Sequence, residues 1–145
     1  MPQLTFPIVP DGLVIDVVVN LEAAALIAGR ASGQRCPPVE TTGLIDTASN
    51  VSGVSPGIVR QLGLVPVGPP TTTTGIGSAV TVQLYRASLH LRDVRAPTLP
   101  MLTMPSRLVM ELPPGPSCDV LIGMDVLRQC RLTVDGPGGS FTLDF

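Results

Sequence analysis

Short apolar runs, each bounded by glycine, proline or small polar residues, dominate the hydrophobic pattern of the chain. Runs of this length that contain many β-branched residues predict strands. Strands are expected at residues 13–19, 41–47, 119–123, 131–135 and 140–145. The last two alternate on either side of a glycine-rich turn and predict a terminal hairpin. The edge of such a hairpin can pair with another chain.

The segments between these strands differ in character. Residues 21–28 are rich in alanine and leucine and predict two helical turns, so 20–40 is interpreted as an excursion between two strands. Residues 71–91 carry β-forming residues on both sides of Gly-Ile-Gly-Ser and predict a hairpin standing free of the core. Residues 97–116 contain six prolines and predict an edge strand with loops.

Helix boundary signals are clearest around Ser55 and Pro56. A serine N-cap followed by proline at the first helical position, with Gly63 at the end, predicts a helix over 56–62. Another short helix is expected at 124–130, after an apolar strand. The two strand, turn and helix units form a faint internal repeat.

Composition limits the size and the stability of this β-rich chain. Its 145 residues predict one domain, spanning 1–145. The chain has 15 Gly and 16 Pro, which leave little room for long helices, and only three Phe, one Tyr and no Trp. A core with so few aromatic side chains is thin for a small domain, so we expect a partner subunit.

Charge and cysteine content exclude several functional classes. A net charge of −2 and so few aromatic residues argue against nucleic acid as a partner. The sequence shows neither a signal peptide nor a membrane span, so we expect no membrane partner. Three widely spaced cysteines, with His90 as the single histidine, support neither a disulfide framework nor a zinc site. A cytoplasmic location is the expectation.

Asp46 is the acidic residue with the most unusual surroundings. It ends an apolar strand and is followed by the small residues Thr47, Ala48 and Ser49, so its carboxylate is expected at a tight turn. A carboxylate leaving the core needs hydrogen-bond donors or a second carboxyl that shares a proton. One interpretation is that Asp46 only caps the turn through backbone N–H groups, in an unrelated β-sandwich or barrel.

Three motifs together resemble one protease family. They are Leu-Ile-Asp-Thr-Ala-Ser at 44–49, Thr-Gly-Ile-Gly-Ser at 74–78 and Val-Leu-Ile-Gly-Met-Asp-Val-Leu at 120–127. In order and spacing they are similar to the retropepsins, the retroviral-type aspartic proteases and their relatives. Retroviral members pair an acidic residue with an arginine at the positions of Asn50 and Met124, so the sequence looks closer to the bacterial, cellular and retrotransposon branches.

The resemblance implies an all-β fold: a closed, barrel-like sheet with a flap hairpin at 71–91 and one or two short helices. It also implies a homodimer in which the terminal hairpin at 131–145 builds the interface. Peptide hydrolysis by this chemistry needs two carboxyls about 3 Å apart that share a proton. Because the sequence has a single Asp-Thr signature, the resemblance implies that each subunit contributes Asp46 to one pair, with no metal and no cofactor.

The resemblance also implies roles for the residues around Asp46. Thr47, Ala48 and Ser49 would support the active-site loop, and an extended peptide or protein substrate would bind beneath the flap. The candidate substrate-binding residues are Gly75, Ile76 and Gly77 of the flap, with Asn50 and Ile122, while Leu44 and Val51 are further candidate pocket walls.

Ala48 departs from the family pattern, which has glycine after Asp-Thr. An alanine there places a methyl group where the substrate backbone approaches closely. The alternative hypothesis is therefore a retropepsin-fold dimer that binds peptides or acts as a scaffold with little or no catalysis.

Overall fold

The computed structural model describes residues 1–75, 78–113 and 118–145. Within these residues the chain forms eleven strands and three helices. The strands are β1 (Gln3–Pro7), β2 (Val14–Leu21), β3 (Val39–Ile45), β4 (Gly53–Val54), β5 (Thr71–Gly75), β6 (Ser78–Val82), β7 (Leu84–Arg92), β8 (Leu102–Glu111), β9 (Val120–Ile122), β10 (Arg131–Asp135) and β11 (Ser140–Asp144). The helices are α1 (Ala23–Ala31), α2 (Pro56–Leu62) and α3 (Met124–Leu127).

Six of the strands close into a barrel in the order β2-β3-β9-β4-β8-β7. Most neighbours are antiparallel, but β3 with β9 and β4 with β8 are parallel pairs. The prediction of an all-β, closed barrel-like fold is confirmed. The barrel interior holds most of the core, and buried aliphatic side chains such as Ile15, Val54, Leu89 and Ile122 fill it.

A separate three-stranded sheet joins the two ends of the chain in the order β1-β11-β10. Alternate side chains of β1 and β11 are buried in the same core as the barrel, among them Phe6 and Phe141. Their rings stack with centroids 5.6 Å apart, and the Arg95 guanidinium lies over Phe6. The two strands of the terminal hairpin agree with the prediction from the sequence, whereas β1, the third strand of this sheet, has no counterpart in that prediction.

The hairpin predicted at 71–91 is shorter in the structure. Strands β5 and β6 form a two-stranded sheet of their own, which agrees with a hairpin free of the core. The remainder is β7, which belongs to the barrel and buries Tyr85 and Leu89. The predicted tip residues Ile76 and Gly77 lie outside the described residues.

The edge strand predicted within 97–116 is wrong, because β8 lies inside the barrel between β4 and β7. Pro105 has no backbone N–H to donate to a neighbouring strand. It lies opposite the point between Ala87 and Leu89 where the pairing of β7 with β8 shifts register. A bulge leaves one residue out of the ladder, so the barrel accommodates the proline.

The three helices occur in the predicted order, and the bounds of α1 and α3 differ from the prediction. Helix α2 has the predicted bounds: the Ser55 hydroxyl accepts a hydrogen bond from the backbone N–H of Ile58 at 3.4 Å, and Gly63 ends the helix with φ of 61°. Helix α1 runs further than expected, over Ala23–Ala31, inside the excursion between β2 and β3. Helix α3 is only four residues long rather than extending to Cys130.

Candidate active site

Asp46 follows the last residue of β3, at the point where the parallel strands β3 and β9 end together. Its backbone N–H donates to the carbonyl of Ile122 at 2.9 Å, which extends the pairing one residue beyond β3. Strand β9 is inserted between β3 and β4, so the chain from Asp46 to Ser52 must cross the end of β9. We refer to residues 46–52 as the aspartate loop.

Local hydrogen bonds fix the conformation of the aspartate loop. The Asp46 Oδ1 atom accepts the N–H of Ala48 at 2.9 Å, and the Asp46 carbonyl accepts the N–H of Ser49 at 3.3 Å. The hydroxyl of Ser49 donates to the carbonyl of Val51 at 2.7 Å. Asp46 thus caps its own turn, as the simpler interpretation predicts, while its carboxylate stays partly exposed.

The backbone of Ala48 shows why alanine is compatible with this loop. No residue other than glycine has a positive φ in the described part of the chain, so Ala48 adopts a conformation that L-residues favour. Its side chain is exposed and its N–H is bound to Asp46. The methyl group therefore projects from the loop without straining it.

The start of α3 holds the other side of the aspartate loop. The amides of Met124 and Asp125 donate to the carbonyls of Ser49 and Asn50 at 2.7 and 3.2 Å. The side chains at the Asn50 and Met124 positions form no charge pair, and these backbone bonds connect the two segments instead.

A cavity of about 500 Å³ opens above Asp46. Its floor is formed by Asp46, Ala48 and Ser49, and its roof by Thr73, Thr74 and Val80 of the β5–β6 hairpin. The remaining wall is apolar and consists of Met110, Leu112, Pro113 and Leu121. Asp46 is the one acidic residue among the described residues that line this cavity.

Several residues predicted to support the loop or to bind substrate do not line the cavity. Ile122 has no exposed surface and belongs to the core, so it does not line the cavity as expected; its neighbour Leu121 does. Adjacent residues of a strand point to opposite sides of the sheet, and the sequence alone does not determine whether Leu121 or Ile122 is directed at the cavity. Thr47 and Asn50 are exposed beside the cavity without lining it.

The other candidate residues either do not line this cavity or lie outside the described residues. Val51 is exposed, and Leu44 lines a different, smaller cavity with Asp11 and Cys118. Gly75 ends strand β5 at the hairpin, next to the undescribed Ile76 and Gly77.

Sequence reasoning missed several residues around the site. The roof residues Thr73, Thr74 and Val80 could have been assigned from the alternation of the hairpin strands, but the wall formed by Met110 and Leu112 depends on barrel closure. Cys118 also lies near the site: burial raises the pKa of its thiol, and the negative charges of Asp119 and Asp46 act in the same direction. All three cysteines are free thiols.

Neither a metal centre nor a membrane-spanning helix is found in the described parts of the chain. No three His, Cys, Asp or Glu side chains there cluster so that they could hold a metal ion. Among the same residues, no helix has the length and hydrophobicity needed to cross a membrane.

Comparison with known proteins identifies the fold. No protein-family model and no curated protein matches the sequence. Among solved structures, the chain is similar to a retropepsin-like aspartic protease from Rickettsia conorii, with a TM-score of 0.58 and 11% sequence identity. The alignment covers 97% of this chain and 89% of that chain.

The fold is retropepsin-like. Similarity at 11% sequence identity shows the architecture and not the activity. The chemistry of the chain depends on the residues of the aspartate loop and of its cavity. The retropepsin-like fold does account for the barrel, the separate β5–β6 hairpin and the sheet that joins the chain ends. It does not distinguish the bacterial branch from the cellular or retrotransposon branches.

Proposed function

We propose that the protein is an aspartic endopeptidase whose active site combines Asp46 from each of two identical subunits. The observation that carries the proposal is the partly exposed carboxylate of Asp46 at the floor of a largely apolar cavity. Thr73, Thr74 and Val80 of the β5–β6 hairpin also line this cavity.

A second subunit is required because one chain supplies one carboxylate to the cavity. The other acidic residues near the loop are engaged elsewhere: Asp125 accepts a hydrogen bond from Ser52, and Asp119 accepts one from Thr41. A two-fold axis next to Asp46 would bring two copies of this residue together. We propose that Thr47, which is exposed on the loop, then contacts the partner loop across this axis.

The sheet of β1, β11 and β10 is the proposed dimer interface. Its outer face carries the cross-strand row of Thr5, Thr142 and Thr133, and Val134, which lies opposite Phe141 on the other face, is 51% exposed. Buried alternate residues anchor the sheet to the core of its own subunit, which leaves the opposite face and the strand edges for a second copy.

The proposed reaction needs only the two carboxyls and a water molecule. One carboxylate removes a proton from the water, which attacks the carbonyl carbon of the scissile peptide bond. The other carboxyl, which is protonated, donates its proton to the carbonyl oxygen. When the tetrahedral intermediate collapses, the C–N bond breaks, the leaving amine takes up a proton from the pair, and one hydroxyl group of the intermediate returns its proton to the pair as the C=O bond reforms. No metal and no cofactor takes part in these proposed steps.

The substrate is proposed to be an extended peptide or protein segment with an apolar side chain at the cavity. Val80, Met110, Leu112 and Leu121 offer apolar surface, and Thr73 and Thr74 of β5 line the proposed peptide path. The β5–β6 hairpin is proposed to act as the flap that excludes water from the site.

Replacing Asp46 tests the catalytic proposal. Asp46→Asn should lower cleavage of a peptide library by at least about 10²-fold, because the variant loses its proton acceptor. Asp16→Asn is the matched control: Asp16 lies on the barrel and accepts the Val94 amide at 3.0 Å, which asparagine can also do. Equal cleavage by wild type and Asp46→Asn contradicts the proposal.

Mixing subunits tests whether the carboxyl pair is shared. When wild type and Asp46→Asn are co-expressed in equal amounts, random pairing leaves about one quarter of the dimers with two aspartates. Activity should therefore fall to about one quarter rather than one half. A value of one half indicates that each chain is active by itself, and a monomer in sedimentation at high concentration excludes the dimer.

Ala48 supports a second candidate function, a dimer that binds peptides without cleaving them. Ala48 lines the cavity that the proposed substrate backbone would approach. If Ala48→Gly gains activity that the wild type lacks, the binding function is correct for the natural protein. If wild type and Ala48→Gly both cleave, the endopeptidase proposal stands.

A further inference from the structure

A completely buried hydroxyl group lies at the end of the aspartate loop. Ser52 has 0% exposed surface, and its Oγ donates to Asp125 Oδ1 at 2.7 Å. The same Oγ accepts the N–H of Gly123 at 3.0 Å. A buried hydroxyl with both a donor and an acceptor partner is fully satisfied, and bonds to a carboxylate are among the stronger ones.

The two partners of Ser52 belong to the segment that holds the aspartate loop. Gly123 precedes α3, and Asp125 is the second residue of that helix. The amides of Met124 and Asp125 donate to the carbonyls of Ser49 and Asn50. The loop and the start of α3 are therefore connected by side-chain bonds at Ser52 and by backbone bonds at Ser49 and Asn50.

Close packing leaves little freedom between these two segments. A Cβ atom added to Gly123 would lie 2.9 Å from the Ser49 carbonyl oxygen and 2.9 Å from the carbonyl carbon of Val51. The two backbones therefore approach too closely for a side chain at position 123, and the hydrogen bonds from Met124 and Asp125 couple a movement of residues 123–125 to the aspartate loop. Asp46 begins this loop, and its amide is bonded to Ile122 immediately before Gly123.

We infer that Ser52 and Asp125 are positioning residues for Asp46: their hydrogen bond fixes the start of α3 against the aspartate loop and so sets the orientation of the catalytic carboxyl. The catalytic part of this inference rests on the proposed function. A purely structural role would affect stability alone, whereas a positioning role affects the chemical step at temperatures where the protein is fully folded.

Kinetics of a small set of variants separate these roles. Ser52→Ala and Asp125→Ala each remove the bond, whereas Asp125→Asn keeps an oxygen that can accept from Ser52. Ser106→Ala is the matched control, since the Ser106 hydroxyl also donates to a carboxylate, Glu22 Oε2, at 2.8 Å but away from the site.

We expect Ser52→Ala and Asp125→Ala to lower kcat about tenfold or more with KM changed less than about twofold, because small misplacements of catalytic groups slow the chemical step. Asp125→Asn should retain most of the activity, and Ser106→Ala all of it. The double variant should lose little more than either single one, since both remove the same bond. Unchanged kcat in the folded single variants, or an equal loss in Asp125→Asn and Asp125→Ala, overturns the inference.

A second measurement does not depend on catalysis. Hydrogen exchange at the amides of Ala48 and Ser49, both bonded to Asp46, should accelerate in Asp125→Ala but not in Ser106→Ala. If wild type has no peptidase activity, the proposed function fails, while exchange still decides whether the bond orders the loop. If Ser52→Ala does not fold, the comparison of Asp125→Ala with Asp125→Asn decides, and unchanged exchange overturns the inference.

Discussion

Gly123 offers a sharp test of the packing beneath the aspartate loop. Its φ of −95° and ψ of −175° are open to any residue, so Gly123→Ala introduces no backbone strain. The added Cβ would nevertheless lie 2.9 Å from the Ser49 oxygen and 2.9 Å from the Val51 carbonyl carbon. These backbone atoms would have to retreat by about 0.5 Å to reach ordinary contact distance.

The expected effect is a loss of about 1–3 kcal/mol in the free energy of unfolding, the usual range for one excess methyl group in a tightly packed region. Gly57→Ala is the matched control, because the Cβ added there meets only the Ser55 hydroxyl, at 3.7 Å. Gly57 lies in α2, so its replacement by alanine should raise stability by about 0.5–1 kcal/mol.

Urea unfolding measures both variants against the wild type. The protein concentration must be the same throughout, because subunit association contributes to the apparent stability. The two substitutions are chemically identical, so the opposite signs of their effects isolate the steric contribution. A Gly123→Ala variant as stable as wild type would refute the close packing described here.

Three further predictions concern the barrel, the terminal sheet and α2. Hydrogen bonds from the Arg95 side chain hold the pKa of Asp93 below its ordinary value. The ionised Asp93 carboxylate therefore stabilises the fold at pH values above the pKa that Asp93 has in the unfolded chain. This contribution disappears as the pH falls through the pKa of the folded state. Asp93→Asn should therefore lower Tm at neutral pH, with the difference from wild type shrinking below about pH 4; a constant difference across pH contradicts this. Phe141→Ala removes a 1%-exposed residue whose ring stacks on Phe6 and should lower the free energy of unfolding by about 3–5 kcal/mol in urea titrations. A loss below about 1.5 kcal/mol, half of the lower limit of that range, would mean that the terminal sheet contributes little to the core. Ser55→Ala removes the hydroxyl cap of α2 and should reduce stability by about 0.5–2 kcal/mol in the same assay, whereas an unchanged midpoint would show that the 3.4 Å bond contributes nothing.

Features with local causes could be predicted from the sequence. The bounds of α2 follow from a serine cap, a proline and a terminal glycine within nine residues, and the structure has the helix at those positions. The turn that presents Asp46 is likewise local, because an apolar strand followed by small polar residues must leave the core there.

Features that depend on distant pairing could not be predicted. Strand β1 is short and ends in proline, and it becomes a strand only by pairing with β11 at the other end of the sequence. The position of β8 inside the barrel was missed because the bulge that accommodates Pro105 requires the partner strand β7. Leu121 lines the cavity where the sequence predicts Ile122, and the reason is the same: closure of the barrel determines which side of β9 is buried in the core.

The pairing of β1 with β11 bears on the order in which the parts of the chain fold during synthesis. Thr5 and Thr142, whose hydroxyl groups are 2.9 Å apart, are separated by 137 positions in the sequence. Every barrel strand precedes β10 and β11 in the chain, so this sheet forms after the barrel strands have been synthesised. Under the proposed function, with this sheet as the dimer interface, a partly synthesised chain would have no second carboxyl, and proteolysis would wait until the segment up to Asp144 has left the ribosome.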